Sequence, residues 1–175
     1  MSDWKLLNTS TASGASSVEF TDLTGYKIFK FVFIEINAAN DGVNFQLEAS
    51  TGSYGVTKTT TFFQAYHFEN DSSATVAYAT AEDQAQSTNP NRLVTYLGNL
   101  SDENTSGELT VFNPASTTYV KHFYSRGAVN TSTDVAKDVY TAGYFNTTSA
   151  LNGIRFTMSS GNFDGTIKQY GLVAS

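Results

Sequence analysis

Two histidines and sixteen carboxylates are the acid–base groups that this 175-residue chain can bring to bear, because it has no cysteine. His67 lies in Ala65-Tyr66-His67-Phe68 and His122 in Val120-Lys121-His122-Phe123. Both stand among aromatic residues, the setting of ordinary strand positions. A serine nucleophile would need one of them as its base, yet no Gly-x-Ser-x-Gly elbow is present. Carboxylates fall together at Glu82-Asp83, at Asp102-Glu103 and at Asp134 with Asp138. A pair flanking a sugar cleft at ~5–9.5 Å can cleave a glycosidic bond. Among sixteen acids such pairs arise without design, and solvated loops account for them. Calcium asks for several oxygens from one tight loop. Asn37-Ala38-Ala39-Asn40-Asp41-Gly42 and Asn162-Phe163-Asp164-Gly165 offer partial sets that turn chemistry alone explains. No catalytic residue, metal or cofactor is assigned, and the chain does not read as an enzyme.

Aromatic residues make up 14% of the chain. Tyr54, Tyr66, Tyr140 and Tyr144, near expected strand ends, are the candidates for stacking on sugar rings. The same residue types fill β-cores and oligomer interfaces.

The elements that must position these groups follow from period-two alternation. Strands are expected at Trp4–Leu7, Ser17–Thr21, Tyr26–Asn37, Asn44–Ala49, Val56–Phe68, Thr75–Ala79, Arg92–Leu97, Glu108–Phe112, Tyr119–Arg126, 139–146, Ile154–Met158 and Thr166–Val173. Thr9 to Ser16 reads as a turn and Glu82 to Asn91 as a loop, while Thr133 to Tyr140 could make one short helical turn capped by Asp134. In Tyr26–Asn37, alternation puts Phe29, Phe31, Phe33 and Glu35 on one face. Apolar residues on both faces predict a covered strand or an interface, with Phe29, Phe31 and Phe33 as the interface candidates. About ten strands at this spacing predict one all-β domain over residues 1–175, an antiparallel β-sandwich of jelly-roll type.

The net charge of −6, without a Lys/Arg cluster, argues against nucleic acid, whose affinity rests on neutralising phosphates. The longest apolar run, Ile28 to Ile36, is broken by Lys30 and Glu35 and is too short to span a bilayer. Met1-Ser2-Asp3-Trp4-Lys5 lacks a signal peptide's basic start and apolar stretch, so a soluble protein made in the cytoplasm is expected.

The order of segments carries a further expectation. Phe45-Gln46-Leu47-Glu48-Ala49-Ser50-Thr51-Gly52-Ser53-Tyr54 precedes Gly107-Glu108-Leu109-Thr110-Val111-Phe112-Asn113-Pro114-Ala115 and Tyr119-Val120-Lys121. The chain closes on Ile154-Arg155-Phe156, Ser160-Gly161-Asn162-Phe163 and Tyr170-Gly171-Leu172. This series resembles small jelly-roll virion proteins of tailed bacteriophages, especially those of marine bacteria and cyanobacteria. Ser50 stands where that pattern commonly has an acid and Pro114 where it has Tyr, and Phe62 to Leu97 shows little resemblance. The resemblance implies a virion structural protein: a head decoration, or a component of a fibre, tail or receptor-binding apparatus. It implies a homotrimer contacting major capsid or tail proteins, released with the particle at lysis. The alternative is a carbohydrate-binding module that recognises a host-surface glycan.

Overall fold

A computed structural model describes residues 3–172, so Met1 and Ser2 of the expected N-terminus and Val173 of the expected last strand lie outside it. The described residues form thirteen strands in two antiparallel sheets and no helix.

Eight strands pair as nested partners, the first with the last. β1 (Trp4–Ala15) pairs with β13 (Phe163–Leu172), and β2 (Ser17–Phe20) pairs with β12 (Gly153–Met158). Inside them, β3 (Ile28–Ala38) pairs with β9 (Thr105–Phe112), and β4 (Val43–Ser50) pairs with β8 (Asn91–Leu97). The orders β1-β13-β3-β9 in one sheet and β2-β12-β4-β8 in the other make the expected jelly-roll.

The remaining five strands come from two insertions. β5 (Lys58–Phe68), β6 (Ala74–Tyr78) and β7 (Gln84–Ser87) lie between β4 and β8; β10 (Lys121–Asn130) and β11 (Val135–Phe145) lie between β9 and β12. They extend the first sheet past β9 in the order β10-β11-β5-β6, with β7 also on β5. Three local expectations change. Thr9 to Ser16 continues β1 because β13 pairs along it through Ala15. Gln84–Ser87, expected as loop, pairs with Lys58 and Thr60. The expected helical turn is a hairpin, in which Asp134 turns at φ 57° and Val135 opens a strand in register with Phe68.

Phe29, Phe31 and Phe33 are fully buried within the chain, so they are core and not the interface expected of them. Alternation aims them between the sheets, where Phe20, Phe31, Phe45 and Phe156 meet at ring-centroid distances of 5.3–6.2 Å. Removing one such ring from water contributes ~1.5–3 kcal/mol. Glu35 departs from that face. A bulge between Phe33 and Ile36 turns it outward at φ 53°, and its amide donates to Ser106 Oγ at 2.9 Å. Opposite it Gly165 sits at φ 130°, where a Cβ would come within 2.8 Å of the Glu35 carbonyl oxygen. Only glycine fits both the backbone and the space there.

Candidate functional site

The added strands position most of the exposed chemistry. Residues directly opposite in antiparallel strands share a face, so Glu108, Arg126, Tyr140, Phe63 and Tyr78 form one row across β9, β10, β11, β5 and β6. Phe63 and Tyr140 stack in parallel with ring centroids 4.8 Å apart. Arg126 donates to both oxygens of Asp138 at 2.9 and 2.7 Å, and Tyr140 Oη donates to the same carboxylate at 3.2 Å. The guanidinium holds Asp138 below the usual carboxylate range, mainly through these hydrogen bonds. Six large apolar side chains are exposed on this outer face: Trp4, Leu6, Phe63, Val76, Tyr78 and Tyr124.

The inner face of the added strands differs. Lys58 and Lys121 flank Phe145 and are wholly buried. Lys121 Nζ donates to the Thr147 carbonyl at 2.9 Å and Lys58 Nζ to the Val56 carbonyl at 3.3 Å. Burial pushes the Lys58 ammonium down to about 8, against a smaller opposing pull from Glu48. Further along, β5 and β11 pass the edge of the second sheet and leave a crevice of about 270 Å³ lined by Gln64, Tyr66, Phe68, Tyr96, Thr133, Val135 and Lys137. Tyr66 lies opposite Lys137 and Phe68 opposite Val135. Tyr96 walls the other side. Its backbone is left-handed at φ 61°, its amide donates to Asn44 Oδ1 at 3.3 Å, and its carbonyl accepts from the Ser132 amide at 3.0 Å. Lys137 Nζ stands 4.7 Å from the Tyr96 ring centroid.

The four tyrosines expected to bind sugar do not form one platform. Tyr140 and Tyr144 lie on the outer face, Tyr144 beside His122 with centroids 6.1 Å apart. Tyr66 faces the crevice. Tyr54 belongs to the second sheet, where the Arg155 guanidinium lies 3.9 Å from its ring centroid and is itself held by Glu48 at 2.5 Å. Burial, then the Glu19 charge, pushes the Tyr54 hydroxyl up to about 12.

Several of the candidate acid–base groups have structural partners. His67 Nε2 is 3.0 Å from Asp71 Oδ1, and both side chains are exposed. Glu82 pairs with Arg92, Asp83 accepts from Tyr78 Oη at 2.6 Å, and Glu103 accepts from the Leu100 amide at 2.7 Å. In the loops considered for calcium, Asn37 donates to the Leu100 and Glu103 carbonyls, and Asp164 accepts from the Gly14 amide at 2.7 Å. Among the described residues no three His, Asp or Glu side chains gather as a metal site. Among the described residues no helix is long and apolar enough to cross a membrane.

Sequence reasoning missed Gln64, Tyr96 and Lys137. Alternation from Lys58 to Phe68 would have put Gln64 and Tyr66 on one face had its register been fixed. Nothing local announces Lys137, which enters the crevice only because β11 pairs with β5. No protein-family model, curated protein or solved structure matches the chain.

Proposed function

We propose that the chain is a non-enzymatic structural protein of a bacteriophage virion, assembling as a homotrimer that docks on capsid or tail proteins. The observation that carries this reading is the outer face of the nine-stranded sheet. It is continuous, and Trp4, Leu6, Phe63, Val76, Tyr78 and Tyr124 are exposed on it. Single exposed apolar residues are ordinary, but neighbouring ones mark an interaction surface: Phe63 lies opposite Tyr78 with Val76 beside them at one edge of the sheet, and Trp4 and Leu6 sit together at the other. Closed symmetry lets copies of one chain cover such faces without open-ended growth. The order of segments that resembles tailed-phage virion proteins supports the class of assembly. Light scattering coupled to size-exclusion chromatography is expected to give three times the 18.9 kDa chain mass. The double substitution Phe63→Ser and Tyr124→Ser is expected to give monomer. A wild-type monomer at micromolar concentration removes the trimer, and a trimer that survives the double substitution moves the interface elsewhere.

Carbohydrate recognition is the second reading, favoured by the aromatic-walled crevice of Tyr66, Phe68 and Tyr96. Ligand sites are concave and largely apolar with a few polar groups, and this crevice has that make-up. Titration with monosaccharides, compared with Tyr66→Ala, tests it.

A further inference from the structure

Within the crevice the polar groups are more informative than the rings. Gln64 Oε1 is buried and has no hydrogen-bond partner. A buried amide oxygen left without a donor costs ~1–3 kcal/mol, which is why native structures rarely contain one. Lys137 is partly buried and makes no hydrogen bond or ion pair within the described residues, with the Tyr96 ring as its neighbour at 4.7 Å. Gln64 and Lys137 therefore line one cavity, the amide with its Oε1 sealed beneath the surface and the ammonium bringing a cationic donor to it.

The walls limit what can supply them. Tyr66 and Phe68 meet edge to face at 6.0 Å, and Tyr96 closes the far side in a backbone conformation that few non-glycine residues adopt. Such strain persists where the surroundings impose it, and it gathers at binding sites. Here the Asn44 and Ser132 hydrogen bonds impose it, and the consequence is a ring held over the cavity while remaining 53% exposed. At about 270 Å³ the space falls just under the ~300–1,000 Å³ of ordinary ligand sites. It suits one ring, not a chain.

We propose that this crevice seats a single sugar unit bearing a carboxylate, with the carboxylate on Lys137 Nζ, a ring hydroxyl against the Gln64 side-chain amide and the apolar ring face against the aromatic walls. The inference rests on the carbohydrate reading and narrows it to acidic glycans, such as a uronate at the exposed end of a surface polysaccharide. A neutral hexose satisfies the rings and Gln64 but gives the ammonium, which feels only the more distant Glu82 charge, no anion in contact. A charge-assisted hydrogen bond is about twice as strong as a neutral one, so Lys137 sets the preference. It is independent of what covers the outer face of the sheet, because the crevice opens on the opposite side of β5 and β11.

The test is titration of the full chain with glucuronate and galacturonate, and with glucose and galactose as their neutral counterparts. Binding is followed by NMR shifts of the Gln64 side-chain amide. The uronates are expected to bind at least tenfold more tightly than the neutral sugars, with the advantage shrinking as salt is raised. Lys137→Met is expected to erase that advantage, so that the uronates bind no more tightly than the neutral sugars. Gln64→Leu is expected to weaken all four sugars and to fold at least as stably as the wild type, since it removes an unpaired buried acceptor. Equal affinity for acidic and neutral sugars overturns the acidic preference and leaves carbohydrate recognition standing. No Gln64 shift with any of the four sugars overturns both. Shifts produced by p-cresol alone, standing for an aromatic side chain of a protein partner, also overturn both.

Discussion

Along the inner face of the nine-stranded sheet, β3 presents Phe29, Phe31 and Phe33, while four strands away β5 presents Lys58, Thr60, Phe62 and Gln64. The jelly-roll strands build a continuous phenylalanine core between the sheets. The added strands bury Phe62, Val135 and Val139 outside that core and fill much of the remaining inner face with Thr, Ser and Lys. Phe62, Phe123 and Phe145 of these strands stay buried, while their other rings reach surfaces: Phe63, Tyr78 and Tyr124 outward, Tyr66 and Phe68 into the crevice. One sheet thus serves two purposes. Where both faces of the sandwich meet, side chains supply stability. Past the edge of the second sheet the strands are held chiefly by backbone pairing, and more of their side chains stand at the surface.

The largest effect expected is that of Phe156→Ala, which empties the contact among Phe20, Phe31 and Phe45. Urea unfolding should show a loss of ~3–5 kcal/mol. Phe62→Ala, equally buried but outside the core cluster, should cost less. A loss as large as that of Phe156→Ala would erase the distinction between the two regions. Next comes the seam between them. Gly107 and Gly127 lie opposite each other in β9 and β10, and the Phe33 ring edge fits over them. A Cβ at 107 would strike the Arg126 carbonyl and come within 2.7 Å of Phe33 Cε2. Gly107→Ala should therefore destabilise by ~1–3 kcal/mol. Hydrogen exchange should quicken in β10, β11 and β5 ahead of β3 and β13; uniform quickening would mean that the two regions open as one.

The smallest expected effect is a pH dependence from Lys58. Its ammonium loses its proton at about 8 in the folded chain against an ordinary 10.5, so the unfolded chain binds more protons across that window. Stability from this group is therefore lowest below pH 8 and rises as the pH climbs toward 10.5. Tyr54 acts oppositely. Held up to about 12 from 10.0, it keeps its proton longer when folded, and stability falls between those values. Between pH 7.5 and 9.5 the thermal midpoint of the wild type should rise relative to Lys58→Met. A constant difference would show that Lys58 ionises as it does in water.

The difference between the regions also decides what could be read from the residues. Alternation marks the jelly-roll strands because one face of each is buried: Phe45 and Leu47 in β4, and Phe156 and Met158 in β12, are unmistakable. Inner positions of the added strands are polar, so Thr133 to Tyr140 looks helical and Gln84–Ser87 looks like loop. Alternation marks Phe29, Phe31 and Phe33 as a face needing cover; the cover is the second sheet of the same chain and not another copy. The crevice is illegible because Gln64 and Lys137 meet only when β5 pairs with β11, and Tyr96 joins them only when the second sheet packs against these strands. The stretch from Phe62 to Leu97, where resemblance to virion proteins fails, supplies Gln64, Tyr66, Phe68 and Tyr96.

Nested pairing also has a consequence in time. Thr11 of β1 lies opposite Thr166 of β13, so the first strand finds its partner only when nearly all of the chain has left the ribosome. The hairpin of β10 and β11 closes across four residues and needs no such wait. Contacts between distant residues fold slowly, on the order of milliseconds to seconds, because loop closure precedes any reward. During synthesis β1 therefore remains an unpaired edge, open to the β13 of a neighbouring chain on the same message. Exchange of that strand between copies is the misassembly to which this architecture is most exposed.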